Sequence, residues 1–163
     1  ALGNCLRRDA RPAGDAMSRS GYCDDGENTW ALVCWRGAVN SALRGKRGQA
    51  FLIELAEAMD AMQVKRLVTE ELQAEGEFCT LGVVGNARNL DMSVIDPDDS
   101  QAVADKFGLA EAMVREIVWE NDEHPGVYGL RADGTTGWRP ETPEERWIRM
   151  REWVEAQIKR VTP

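Results

Sequence analysis

At 163 residues the chain is long enough for one domain with a real hydrophobic core. Apolar residues make up 43% and charged residues 29%, a globular balance that excludes a fibrous chain or one disordered throughout. The formal net charge of −8 argues against general nucleic-acid affinity, and no apolar run reaches the roughly 18 residues of a membrane helix.

Residues 1–16 (ALGNCLRRDARPAGDA) have little periodicity and read as an extension or disordered arm, with Met17-Ser18-Arg19-Ser20 as a plausible native start. No charged-then-apolar leader is seen, which predicts a cytoplasmic protein. One helical domain is expected over 17–163. Residues 17–28 form a small polar loop, and Asn28 or Thr29 supplies a helix cap. From Trp30 to Leu43 nearly every position is apolar or small. The exceptions, Arg36, Asn40 and Arg44, recur every four residues and so form one narrow stripe, which Arg47 extends. A helix polar along a single stripe must be covered on its other sides. The pattern therefore predicts a central buried helix with Trp30 and Trp35 in the core. Arg44-Gly45-Lys46-Arg47-Gly48 then reads as a tight basic turn between helices. The next helix is expected over Gln49–Met62, with Phe51, Leu52, Leu55, Met59 and Met62 inward and Glu54, Glu57 and Asp60 outward.

Residues 65–81 fit a helical period and a strand alternation equally, with a turn at Glu75-Gly76-Glu77; the reading is a short helix running into a small hairpin near residues 70–80. Leu81–Ala87 follows as a short helix whose Gly82 and Gly85 mark close packing. Asp96-Pro97-Asp98-Asp99 is a helix start, with Asp96 as cap and Pro97 in the first turn. That helix turns Ala102, Val103 and Phe107 inward and stops at Gly108. Another runs from Leu109 to about Asn121 on Met113, Val114, Ile117 and Val118. Residues 122–141 read as a long loop or irregular hairpin. Trp119 and Trp138 flank it and are expected to be partly exposed, where a Trp beside an Arg marks a protein interface. Thr142-Pro143-Glu144-Glu145 is a capping box, and the final helix presents Trp147, Met150, Val154 and Ile158 with Trp153 alongside. The fold class is mainly α: a single-domain bundle of five to seven helices with at most one small β-hairpin.

The charge is uneven. Residues 29–50 carry Arg36, Arg44, Lys46 and Arg47 and no acid, whereas 69–123 carry 14 acids against Arg88, Lys106 and Arg115. The stripe Arg36, Asn40, Arg44, Lys46 and Arg47 is the candidate binding site, for an acidic protein surface or for phosphates. Its plain alternative is a solvated turn that offsets the acidic half. Ala104–Ile117 overlays a helix-turn-helix pattern, but its second helix would carry Glu111, Glu116 and Glu120 toward DNA phosphates, so it reads as an ordinary corner. The four cysteines, Cys5, Cys23, Cys34 and Cys79, form no C-x-x-C, and His124 is the only imidazole. Reduced thiols with no metal and no cofactor are expected. Cys79 precedes a helix N-terminus, where a thiolate is stabilised. With His124 as base and Asn121 or Asp122 as orienter it is a weak candidate catalytic set; the alternative is a small buried residue.

From Met17 onward the chain resembles small uncharacterised proteins encoded by bacteriophages and proteobacterial prophages. The carrying residues are MSRSGY (17–22), WRGAVNSALRGKRGQAF (35–51), GEFCTLG (76–82), WEND (119–122) and ETPEERW (141–147). A looser likeness joins GEFCTLG and the later Asn-Asp to bacterial domains of unknown function that read G-x-x-C-A-L-G. The resemblance implies a bacterial cytoplasm and a phage accessory role. It brings no activity, so no catalytic residue is carried over. The leading expectation is a non-enzymatic module that binds a host or phage macromolecule, most often a protein. The alternatives are a cysteine-dependent enzyme using Cys79 with His124 and a nucleic-acid binder using the turn at 44–48.

Overall fold

A computed structural model describes Ser20 and residues 29–159. The arm at 1–16, most of the loop at 17–28, Cys5, Cys23 and the cap at Asn28 lie outside the described residues. Six helices are described: α1 (Thr29–Arg44), α2 (Lys46–Ala61), α3 (Thr80–Ala87), α4 (Ser100–Phe107), α5 (Glu111–Asp122) and α6 (Pro143–Gln157). Two antiparallel hairpins join them, β1 (Gln73–Ala74) with β2 (Glu77–Phe78) and β3 (Val127–Leu130) with β4 (Thr136–Arg139). The helices share one core and make a single domain.

α2, not α1, is the central helix. Its Gly48, Phe51, Leu52, Leu55, Ala56 and Met59 recur at helical spacing and are buried against α1, α3 and α6. Each large side chain among them contributes roughly 1.5–3 kcal/mol by leaving water. Among its described side chains α1 buries Val39 and Leu43. Trp30 is 73% exposed and Val33 57% exposed, so the expected burial of α1 on most sides is wrong. The apolar run was read correctly as helix, and among the described residues α2 and α5 pack against one flank of it.

The basic turn is also shorter than expected. Only Gly45 separates the helices; Lys46 and Arg47 form the first turn of α2, and Gly48 lies inside it, buried. A Cβ at Gly48 would sit 2.0 Å from the Ala42 carbonyl oxygen, so Gly48 serves close contact between helices and does not break one.

Residues 65–72 form no helix, contrary to expectation. Leu67 N–H donates to the Pro143 carbonyl at 3.1 Å and Val68 N–H to the Phe78 carbonyl at 3.0 Å. Partners distant in sequence thus satisfy an extended backbone and override the local helical period. The β1–β2 hairpin falls where the turn signal placed it. The cap of α4 is Asp99, whose side chain accepts from Ala102 N–H at 2.9 Å, and Asp96 instead closes a turn on Asp98 N–H. α4 does stop at Gly108, which adopts the left-handed conformation (φ 71°) that glycine takes most readily. α6 starts with the capping box at Thr142 and Glu145. α5 is wedged among α1, α3, α4 and α6 and buries seven residues, so it presents no free face to a DNA groove.

Candidate functional site

Cys79 ends the β1–β2 hairpin and caps α3. Its Sγ accepts from Gly82 N–H at 3.4 Å, and the residue is 6% exposed. The next residue, Thr80, is fully buried and gives both its backbone N–H (3.2 Å) and its hydroxyl (2.7 Å) to Asn121 Oδ1. Asn121 Nδ2 donates to the Val68 carbonyl at 2.9 Å and to Asp122 Oδ1 at 2.5 Å. Asn121 therefore ties the extended segment, the start of α3 and the end of α5 together. A buried amide satisfied on both ends fixes one arrangement of its neighbours, since leaving either end unpaired is costly. The adjoining cavity, lined by Leu72, Cys79, Thr80, Pro97, Asn121 and Asp122 among others, is about 10 Å³, room for about one water. GEFCTLG and WEND thus meet in space, and what they build is a structural clamp.

His124 is half-buried just beyond the end of α5. The charged groups that act on it are Arg149 and Glu141. Burial first, then the Arg149 guanidinium, hold its pKa below the usual imidazole value, against a smaller upward pull from Glu141. Its Nδ1 is buried with no hydrogen-bond partner. Cys79 Sγ thus serves Gly82 N–H, and Asp122 Oδ1 serves the Asn121 amide. Among the described residues, no three of the His, Cys, Asp and Glu side chains converge as metal ligands.

The buried ionisable groups lie elsewhere. On α5, Glu116 is 4% exposed and takes Arg36 of α1 at 2.8 Å. One turn on, Glu120 faces Arg149 of α6 at 3.7 Å. Arg149 is held by Glu141 through Nε at 2.6 Å and Nη2 at 2.8 Å, and Arg146 lies 3.9 Å from the same carboxylate. This ladder links α1, α5 and α6. Burial, then the Glu116 charge, push the Glu120 carboxyl up to about 7, against the opposing pull of Arg149 and Arg36 and a hydrogen bond from Trp153. Sequence reasoning used Glu116 and Glu120, with Glu111, only as acids that would repel DNA phosphates. Their four-residue spacing, matched by several arginines in the last helix, was the only available signal.

The predicted basic stripe divides. Arg36 is engaged by Glu116, whereas Arg44, Lys46 and Arg47 are exposed and, among the described residues, in no ion pair. Asn40 is exposed beside them. Lys159 adds a further positive charge there, its Nζ donating to the Arg44 carbonyl at 2.7 Å.

The second hairpin supplies an exposed apolar face. Tyr128 pairs across the ladder with Trp138, and Leu130 with Thr136. Tyr128, Leu130 and Trp138 share one face at 66%, 69% and 54% exposure, and the two rings meet edge to face at 5.9 Å. Gly129 and Gly137 pair on the opposite face. Arg131 lies in the space that a Cβ at Gly137 would take and donates across the hairpin to the Trp138 carbonyl at 3.1 Å. Arg139 donates in the reverse direction to the Leu130 carbonyl at 3.1 Å and is itself held by Glu145. Two crossed arginines thus clasp the strands from behind while the aromatic face stays open. Trp138 had been expected to be exposed beside an arginine; Tyr128 and Leu130 were missed because the strand register that aligns them with it was not legible.

No helix among the described residues is long and apolar enough to cross a membrane. No protein-family model, curated protein or solved structure matches this chain.

Proposed function

We propose that this chain is a non-enzymatic phage or prophage accessory protein that binds a protein partner through the open face of the β3–β4 hairpin. One observation carries the reading: Tyr128, Leu130 and Trp138 stand together in water, with Arg131 behind them. Tyr, Trp and Arg are the residues that dominate binding energy at interfaces, and three large apolar side chains aligned by a rigid ladder have no comparable use inside the monomer. The burial of Cys79, whose Sγ accepts from Gly82 N–H, and the internal hydrogen bond between Asn121 and Asp122 support the same reading.

The basic end formed by Arg44, Lys46 and Arg47 supports a second reading, nucleic-acid binding, because its charges are unpaired among the described residues. The net charge of −8 opposes it. Affinity capture from a bacterial host lysate separates the two. Tyr128→Ala with Trp138→Ala is expected to abolish capture of the protein partner, and Glu substitutions at Arg44, Lys46 and Arg47 to leave it intact. Capture that survives the hairpin variant, together with a low-salt mobility shift that the charge reversal removes, would establish the second reading instead.

A further inference from the structure

Size and polarity together define what the open face of the β3–β4 hairpin can hold. The strand register puts Tyr128, Leu130, Thr136 and Trp138 on that face, all of them exposed and none charged. At their observed exposure the three large side chains offer roughly 400 Å² of contact surface. Two copies joined face to face would bury roughly 800 Å², short of the roughly 1,200 Å² at which specific interfaces begin. A second copy of this chain is therefore too weakly held there, and so is a broad globular surface resting on this face alone. A short extended segment is the occupant that the area fits.

We infer that the occupant is a proline-rich segment of a partner protein, one polyproline II turn of which lies across Tyr128, Trp138 and Leu130. This rests on the protein-partner reading above and names the chemistry of that partner. An extended ligand has two ways to satisfy its backbone. Pairing with the strands is closed off at two places, because Arg131 Nε already donates to the Trp138 carbonyl and Arg139 Nε to the Leu130 carbonyl. The remaining way is to stay in water. A polyproline II helix does so, since it has no internal hydrogen bonds and a fully solvated backbone. Proline also brings no N–H to be stranded on an apolar surface. It does bring carbonyls, and the face offers donors for them. Neither the Tyr128 hydroxyl nor Trp138 Nε1 has a hydrogen-bond partner among the described residues.

The lengths agree. Tyr128 and Leu130 stand two positions apart on one strand, about 7 Å. One polyproline II turn is three residues and about 9 Å. Prolines three apart therefore fall on one side, the first against the ring pair and the second against Leu130. The Tyr128 and Trp138 rings meet at 5.9 Å, too close for a residue to enter between them, so proline stacks on the pair from outside. Such a segment is ordered before it binds and loses little conformational entropy, which suits a face this small. Stacked nucleotide bases fit less well, because single strands need cations along their phosphates. The face carries none: Arg131 and Arg139 turn their Nε groups to strand carbonyls, and Arg139 is also held by Glu145.

Titration of a fluorescein-labelled deca-proline peptide with the full chain, read by anisotropy beside a glycine–serine peptide of equal length, tests this. Deca-proline is expected to bind at about 10–100 µM, and glycine–serine at least about tenfold more weakly. Trp138→Ala and Tyr128→Ala should each weaken the deca-proline complex at least about tenfold with the thermal melt preserved. In the unaltered chain, unlabelled deca-proline should move the Trp138 indole N–H resonance more than the other indole signals, a readout that needs no variant. Deca-proline that fails to bind at about 1 mM overturns the inference, as does binding that glycine–serine matches or that Trp138→Ala leaves intact. An oligo-dT strand held more tightly than deca-proline by the same two rings overturns it in favour of stacked bases. Lysate capture separates the two levels. Capture that still requires Tyr128 and Trp138 keeps the protein-partner reading when deca-proline fails, whereas capture that ignores both substitutions overturns that reading and this one together.

Discussion

Replacing Glu120 with Gln should change how stability depends on pH. The Glu120 carboxyl is pushed from the ordinary 4.5 to about 7, mainly by burial and then by Glu116 one turn away. A folded-state pKa above the unfolded one means that the native protein holds its proton more tightly. The resulting stability is fully present below about pH 4.5 and is lost as pH rises through about 7. Carried in full, the displacement corresponds to about 3 kcal/mol. The side chain keeps 16% of its exposure, so partial screening reduces the expected loss between about pH 5 and pH 8 to about 2 kcal/mol. His124 acts in the opposite sense over much of this window, because its lowered pKa favours the folded state as pH rises. The difference between wild type and Glu120→Gln cancels that contribution. Urea denaturation at several pH values should therefore show the variant gaining on wild type by about 2 kcal/mol toward pH 8 while matching it near pH 5. A difference that does not vary with pH would refute the assignment of a buried, proton-holding Glu120. So would a carboxyl carbon resonance for Glu120 that titrates near 4.5.

Asn121→Ala should cost about 2–4 kcal/mol in denaturant unfolding, since it strands Thr80 N–H, the Thr80 hydroxyl and the Val68 carbonyl in a buried place. Gly48→Ala should destabilise by more than about 2 kcal/mol, because the new methyl group falls on the Ala42 carbonyl. Gly37→Ala, in open space on the same pair of helices, should stabilise by about 0.5–1 kcal/mol, and thermal melts compare the two directly. In the native protein, iodoacetamide should label Cys34 at least about a hundredfold faster than Cys79, with the two equalised in urea.

Local grammar was legible in the sequence wherever one short stretch decided the outcome. The capping box at Thr142, the stop at Gly108 and the turn at Glu75-Gly76 all fall where their residue types place them. α4 starts a few residues late because four consecutive residues, Asp96-Pro97-Asp98-Asp99, hold three rival caps, and only the packed structure selects Asp99. The identity of the central helix was illegible for a different reason. An apolar stripe records that a face avoids water, not which element covers it, so α1 and α2 looked alike. The candidate site was less legible still. The meeting of Thr80 with Asn121, and of Arg36 with Glu116, joins positions 41 and 80 residues apart, beyond the reach of any periodicity. Tyr128 needed the hairpin register, since a shift of one residue would have turned it to the other face.

The crossed arginines behind the β3–β4 hairpin also bear on how the protein behaves when concentrated. Among the described residues this sheet has only two strands, so each strand is an edge and a template on which a foreign strand could add. Arg131 occupies a carbonyl of one strand and Arg139 a carbonyl of the other. A second hairpin approaching edge to edge would have to displace these guanidinium groups and bring like charges together. The clasp therefore lets the protein display tyrosine, leucine and tryptophan on a β-surface while resisting the sheet growth that such residues promote.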